Sequence, residues 1–132
     1  MLVTRNVDAW SDGGAAQALT TSFVAGSWFK SRSANQLRLG YTVSGTAADS
    51  IRFQIEWSPD GGTTPYVVDV QNAIGGDVAD HGDGEFAATG TVASHSLTVK
   101  DIPSNVHLRV SAKRDGGDAT TSIIATASLF RE

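Results

Sequence analysis

Oxygen ligands crowd one stretch of the chain. Asp69, Asp77, Asp80, Asp83 and Glu85 fall between positions 69 and 85, spaced by Gly75, Gly76, Gly82 and Gly84 and free of Lys or Arg. A Ca²⁺ ion takes six to eight such oxygens. The order Asp80-His81-Gly82-Asp83-Gly84-Glu85, however, lacks the twelve-residue register and the terminal bidentate Glu of a helix-loop-helix calcium site. The Asp77–Glu85 segment therefore reads as a solvated acidic loop, with calcium binding left open. The three histidines, His81, His95 and His107, show no metal-ligand spacing. No metal and no cofactor is expected.

Catalysis has little to work with. Ser94-His95-Ser96 places a base beside two hydroxyls, but neighbours along a strand point to opposite faces. The chain has no nucleophile elbow, no Gly-rich phosphate loop and no paired-carboxylate signature. A non-enzyme is the expectation. Arg38, Arg52, Arg109 and Lys113 occupy polar positions of alternating runs and would form a basic stripe if those runs were neighbours in one sheet, with Gln54 and Glu56 interrupting it. The net charge of −4 opposes nucleic acid, and no aromatic platform accompanies the stripe. Trp57 is in register with Ile51, Phe53 and Ile55 and is assigned to the core. Trp10 and Trp28 remain as surface aromatics, of the kind that anchor protein interfaces.

These groups must be positioned by strands. Leu37–Val43, Ile51–Trp57 and Val106–Lys113 alternate apolar and polar residues with period two, which gives each a buried and a wet face. Weaker strands are expected at Leu2–Val7, Ser22–Phe29 with a bulge at Gly26, Tyr66–Val70, Phe86–Val92, Ser94–Lys100 and Ser122–Phe130. Asp-Gly-Gly recurs at 12–14, 60–62 and 115–117, and Asp and Gly tolerate the positive φ of tight reversals. A helical turn over Ala15–Leu19 is the only helix in view. The expected fold is an all-β antiparallel sandwich, Ig-like or jelly-roll, of about seven to nine strands. It forms one domain over 1–132, with residues 1–30 partly an extended N-terminal arm.

Composition narrows the setting. The chain has 132 residues, 40% apolar and only 18% charged, against about a quarter charged in ordinary soluble domains. Cysteine is absent, so packing must supply the stability. No stretch has the ~18 apolar residues of a membrane helix, and the N-terminus lacks a secretory signal pattern. No membrane contact is expected. Residues 13–29 and 119–130 carry no charge at all. Segments of that kind are either central in a sheet or covered by another subunit. Trp10, Phe23, Trp28, Phe29 and Phe130 are the expected interface anchors.

The run Ile51-Arg52-Phe53-Gln54-Ile55-Glu56-Trp57-Ser58-Pro59-Asp60-Gly61-Gly62-Thr63-Thr64 resembles the strand-turn unit of small β-sandwich proteins of tailed-phage virions. Leu97–Pro103 followed by Val106–Val110 is similar to the corner and next strand of fibronectin type III and other immunoglobulin-like domains. The first resemblance implies a virion structural protein, foremost a capsid decoration (cement) protein. Such a protein would be assembled in the host cytoplasm and dock as a homo-oligomer on the major capsid protein or other virion proteins. A carbohydrate-binding or adhesion module, as a tail or head-fibre accessory, is the alternative.

Overall fold

Residues 2–8, 16–68, 73–74, 78–82 and 84–131 are described by the computed structural model. Thirteen strands follow in order among them: β1 (Leu2–Asp8), β2 (Gln17–Ala18), β3 (Val24–Ala25), β4 (Phe29–Lys30), β5 (Gln36–Ser44), β6 (Ser50–Ser58), β7 (Tyr66–Val67), β8 (Ala73–Ile74), β9 (Val78–Gly82), β10 (Glu85–Thr89), β11 (Ser94–Lys100), β12 (His107–Asp115) and β13 (Ser122–Arg131). No helix occurs among the described residues. Within the turn expected at Ala15–Leu19, Gln17–Ala18 is instead β2, paired with Ser122 and Ile123 of β13.

The strands form two antiparallel sheets. The first runs β1-β13-β5-β11-β8, with β2 also on β13, and the second runs β3-β12-β6-β10-β9, with β4 on β12 and β7 on β6. The path passes from β1 and β2 in the first sheet to β3–β4 in the second, β5 in the first, β6 and β10 in the second, β11 in the first, β12 in the second and β13 in the first, while the short β8 between β6 and β10 visits the first sheet. This is jelly-roll order, two Greek keys laid face to face. In an Ig-like arrangement the last two strands would share a sheet. Here β12 and β13 lie in opposite sheets, so the jelly roll is the arrangement adopted. The connection from β6 to β10 contributes β7, β8 and β9, and so lengthens both sheets beyond β11 and β10.

Alternation explains the packing. Leu37, Leu39, Tyr41 and Val43 of β5 and Ile123, Ala125, Ala127 and Leu129 of β13 face inward from the first sheet. Ile51, Phe53 and Ile55 of β6 and Leu108, Val110 and Ala112 of β12 answer from the second. Phe53 sits at the centre, edge-on to Tyr41 at 5.0 Å between ring centroids and stacked on Phe86 at 5.7 Å. The Tyr41 hydroxyl donates to the Thr89 carbonyl at 2.8 Å, so its polar tip is satisfied.

Residues 26–28 show how sequence deforms a strand. Ala25 pairs with Ser111 and Phe29 with Leu108, so three residues lie opposite two. The extra residue is a bulge, as Gly26 led one to expect, and the Gly26 amide still reaches the Val110 carbonyl at 2.8 Å. Two of the three Asp-Gly-Gly units are turns with positive φ at both glycines: 76° and 106° at Gly61 and Gly62, 71° at both Gly116 and Gly117. The unit at 12–14 lies outside the described residues.

Removing Phe53 from the centre of this core should cost about 3–5 kcal/mol. Urea denaturation of Phe53→Ala should show a clear fall in midpoint, whereas Ile124→Ser on the outer face should stay within about 0.5 kcal/mol.

Candidate docking face

The two outward surfaces of the sandwich differ in kind. On the first sheet, cross-strand rows read Ile124–Thr42–Ser94, Thr126–Gly40–Ser96 and Ser128–Arg38–Thr98. Arg38 and Lys100 are the only charged residues at the outward positions of β5, β11 and β13. Thr42 and Ser94 share a hydroxyl hydrogen bond of 2.8 Å across the strands. A Cβ added at Gly40 would meet nothing within 4 Å among the described residues, so none of them covers that spot in the middle of this face. Ile124 stands 39% exposed beside it. Short hydroxyls lose little rotamer freedom when covered, so ordering this surface costs little entropy, provided a partner satisfies the hydroxyls.

The second sheet is tiled with charge. Glu56 accepts two hydrogen bonds from Arg109, at 3.0 and 3.2 Å, and one from Ser111 at 3.3 Å. Arg52 donates to Asp115 at 2.7 Å and lies 4.0 Å from Glu85, which Lys113 approaches at 3.9 Å. The expected basic stripe is thus corrected in two ways. Arg38 belongs to the other sheet, and Arg52, Arg109 and Lys113 are interleaved with Glu56, Glu85 and Asp115. Period two shows which side of a strand is wet, but not which sheet holds the strand.

The expected anchors separate. Phe23 and Trp28 fold over the second sheet, with the Lys113 ammonium 4.9 Å from one ring centroid and the Arg109 guanidinium 4.6 Å from the other. Trp28 also lies against Gly62, where a Cβ would come within 2.5 Å of its indole nitrogen. Phe29 packs half-buried against the core. Phe130 points outward from the first sheet but is only 3% exposed, with Arg38 5.2 Å over its ring. Trp10 lies outside the described residues. Trp57 is partly buried and stacks on Tyr66 at 4.8 Å, with Tyr66 48% exposed. The stretch expected as an N-terminal arm enters the sheets at β1, β2, β3 and β4.

The acidic segment is a hairpin arm over much of its length, not a loop. Val78–Gly82 is β9, paired with β10 from Glu85 to Ala88, while Asp77 and Asp83 lie outside the described residues. No group of three or more His, Cys, Asp or Glu suited to a metal occurs among the described residues. His95 tilts against Tyr41 at 5.2 Å, and its Nε2 lies 2.9 Å from the Thr91 carbonyl. His107 is on the second sheet, so the two histidines do not converge.

Turn acids are the feature the sequence reading missed. Asp60 accepts from the Ser58 hydroxyl at 2.7 Å and from the Thr64 amide and hydroxyl, each at 2.8 Å, which holds its carboxyl below the ordinary value. Asp118 accepts from the Thr120 hydroxyl at 2.6 Å, the Thr120 amide at 2.8 Å and the Thr46 hydroxyl at 3.0 Å, with the same effect. For Asp115 burial pushes the carboxyl up, but hydrogen bonds from Ser50 and Arg52 and the charges of Arg52 and Lys113 outweigh it and leave the value lowered. The readable signal is an Asp two or four residues before a Thr in a Gly-rich turn. Comparison of the chain with protein-family models, curated proteins and solved structures found no match.

A lowered folded-state carboxyl stabilises the fold above its unfolded value, and that stability is lost as pH falls through the folded value. Urea midpoints should therefore hold steady at mildly acidic pH and drop below the ordinary carboxylate value of 3.8. Asp118→Asn should flatten part of that drop. A midpoint rising on acidification would contradict the turn assignments.

Proposed function

We propose that this chain is a non-enzymatic virion structural protein, foremost a capsid decoration protein that docks through the outward face of its first sheet. The contrast between the two surfaces carries this reading. One is covered by paired charges and aromatic rings, and the other, across β5, β11 and β13, is a nearly uncharged field of Ser, Thr and Gly with Ile124 exposed. An uncharged sheet surface avoids the desolvation penalty that paired ions impose on an interface. Jelly rolls recur in viral coats as well as in lectins, and this fold-level analogy agrees with the resemblance of the 51–64 strand-turn unit to phage sandwich proteins. Modest contacts would add through avidity when a homo-oligomer grips several shell subunits.

A carbohydrate-binding or adhesion module is the second reading, favoured by the half-exposed Tyr66 ring stacked on Trp57. The two readings place the working surface differently, since Tyr66 is in the second sheet.

Co-sedimentation with empty shells of the parent virus tests the choice. The protein should pellet with shells at micromolar concentration, Thr126→Lys with Ile124→Glu should lose at least about tenfold in affinity, and Lys113→Gln should change little. No pelleting at all, or loss through Lys113→Gln alone, would reject the first-sheet face.

A further inference from the structure

The four strands before the turn at residues 31–35 share one property. β1 and β2 pair with β13, and β3 and β4 pair with β12, so among the described residues none of the four pairs with another. Hydrogen bonds off the ladders also run to the rest of the sandwich. The Leu19 amide donates to the Thr121 carbonyl at 3.0 Å, the Arg114 amide to the Thr20 carbonyl at 2.9 Å and the Arg114 Nε to the Leu19 carbonyl at 3.2 Å. The segment is an arm laid along β13 at the edge of the first sheet and β12 at the edge of the second.

The body supplies nearly all of the core itself. Among the described residues, Leu19 is the only member of the buried core that lies on the arm, with Phe29 packed half-buried against it. The seats for the aromatic rings of the arm are on the body too. Phe23 lies under Lys113, and Trp28 lies under Arg109 and against Gly62. These rings would meet the same groups if the arm came from another copy. Residues 13–29 carry no charge, so transferring them desolvates no ion.

Arm and body are joined at Arg32. Just before it, the Ser31 amide donates to the Val106 carbonyl at 2.8 Å, and the fully buried Ser31 hydroxyl accepts from the Val106 amide at 3.1 Å, which continues the seat of β4. Just after it, the Ser33 carbonyl accepts from Arg131 at 2.9 Å and the Asn35 amide donates to the Phe130 carbonyl at 3.1 Å, which belongs to the body. Between them Arg32 has a φ of 52°. Left-handed backbone is costly for a residue with a side chain. The turn borders a cavity of about 290 Å³ beside His107, with Lys30 and Arg32 on its wall, which leaves it room to straighten. Straightening gives up the bonds from the Ala34 amide to the Ser31 carbonyl at 3.1 Å and from the Asn105 amide to the Arg32 carbonyl at 2.6 Å, and it relieves Arg32. Short hinges under strain invite exchange, and exchange keeps every other contact.

We infer that β1–β4 form an exchangeable arm, which in the homo-oligomer lies on β12 and β13 of a second copy while that copy returns its own. The inference rests on the homo-oligomer of the reading above and supplies its joint. It turns Phe23, Trp28 and Phe29 into contacts between subunits.

The chain has no cysteine, so an engineered pair reports the exchange. Ala25 lies opposite Ser111, and the bond from the Gly26 amide to the Val110 carbonyl beside them makes theirs a non-hydrogen-bonded pair, whose side chains stand close. Thr42 and Ser94, opposite each other on two body strands, give the control. Ala25→Cys with Ser111→Cys, oxidised after equilibration at about 500 µM, should run on a non-reducing gel as covalent dimers, and at about 1 µM as self-closed monomers. Thr42→Cys with Ser94→Cys should stay monomeric on the gel at both concentrations. Arg32→Gly removes the strain from the closed turn and should raise the dimer Kd in sedimentation at least about tenfold. The proposal is overturned by self-closed monomers alone at about 500 µM, by equal dimer yield from the control pair, or by an unaltered chain that sediments as a monomer at that concentration. An unchanged Kd in Arg32→Gly overturns it too. Should the cysteine pair fail to fold, sedimentation of Arg32→Gly against the unaltered chain still decides. All of these measurements use the free protein, so their failure leaves shell binding standing, and a failure of shell binding leaves their outcome unchanged.

Discussion

Two long ladders hold this molecule in register. β6 meets β12 from the Ser50–Asp115 pair to the Ser58–His107 pair, and β5 meets β13 from Ser44–Ser122 to Gln36–Phe130. A slip of one residue in either would turn every inward side chain of that strand toward water and bring polar ones inside. Ile51, Phe53 and Ile55 would exchange places with Arg52, Gln54 and Glu56. The outer surfaces depend on the same pairing, because it sets Arg109 opposite Glu56 and puts Asp115, opposite Ser50, diagonally within reach of Arg52. Charge pairing on the outside and packing on the inside thus select one register together.

The long strands were legible because their alternation is strict. β11 occupies the expected Ser94–Lys100, and β5, β6, β12 and β13 run within two residues of expectation at each end. Among the short strands, β3 and β4 fall on the expected Ser22–Phe29 and β7 on the expected Tyr66–Val70, whereas β2 lies where a helical turn was expected. β2 has two residues and arises from the neighbour it lies against, β13, not from its own composition. Ala18 and Gln17 have no pattern of their own to read. The choice of jelly roll over the Ig-like alternative was equally out of reach, since hydrophobic period carries no information on which strands are partners.

The surface followed the same logic. Residues 119–130 could be seen to lack charge, and β13 does lie between β1 and β5 in the first sheet. That Phe130 would be shielded by Arg38, and that Phe23 and Trp28 would lie on the other side of the molecule under cations, required the strand order. The cavity beside His107 draws its lining from β4, β12 and the turns at 31–32, 59 and 105, which are distant along the chain. Only the crossing of the chain between sheets brings them together.

β1 and β13 are antiparallel neighbours, and Leu2 pairs with Arg131. The two ends of the described chain therefore leave from one corner. Tension applied through them would peel β1 from β13 a bond or two at a time, the weakest way to load a ladder. Tension passed along β5 against β13 would strain all of their shared bonds in shear at once. A sandwich wired like this tolerates stretching delivered across its face far better than pulling delivered through its tails.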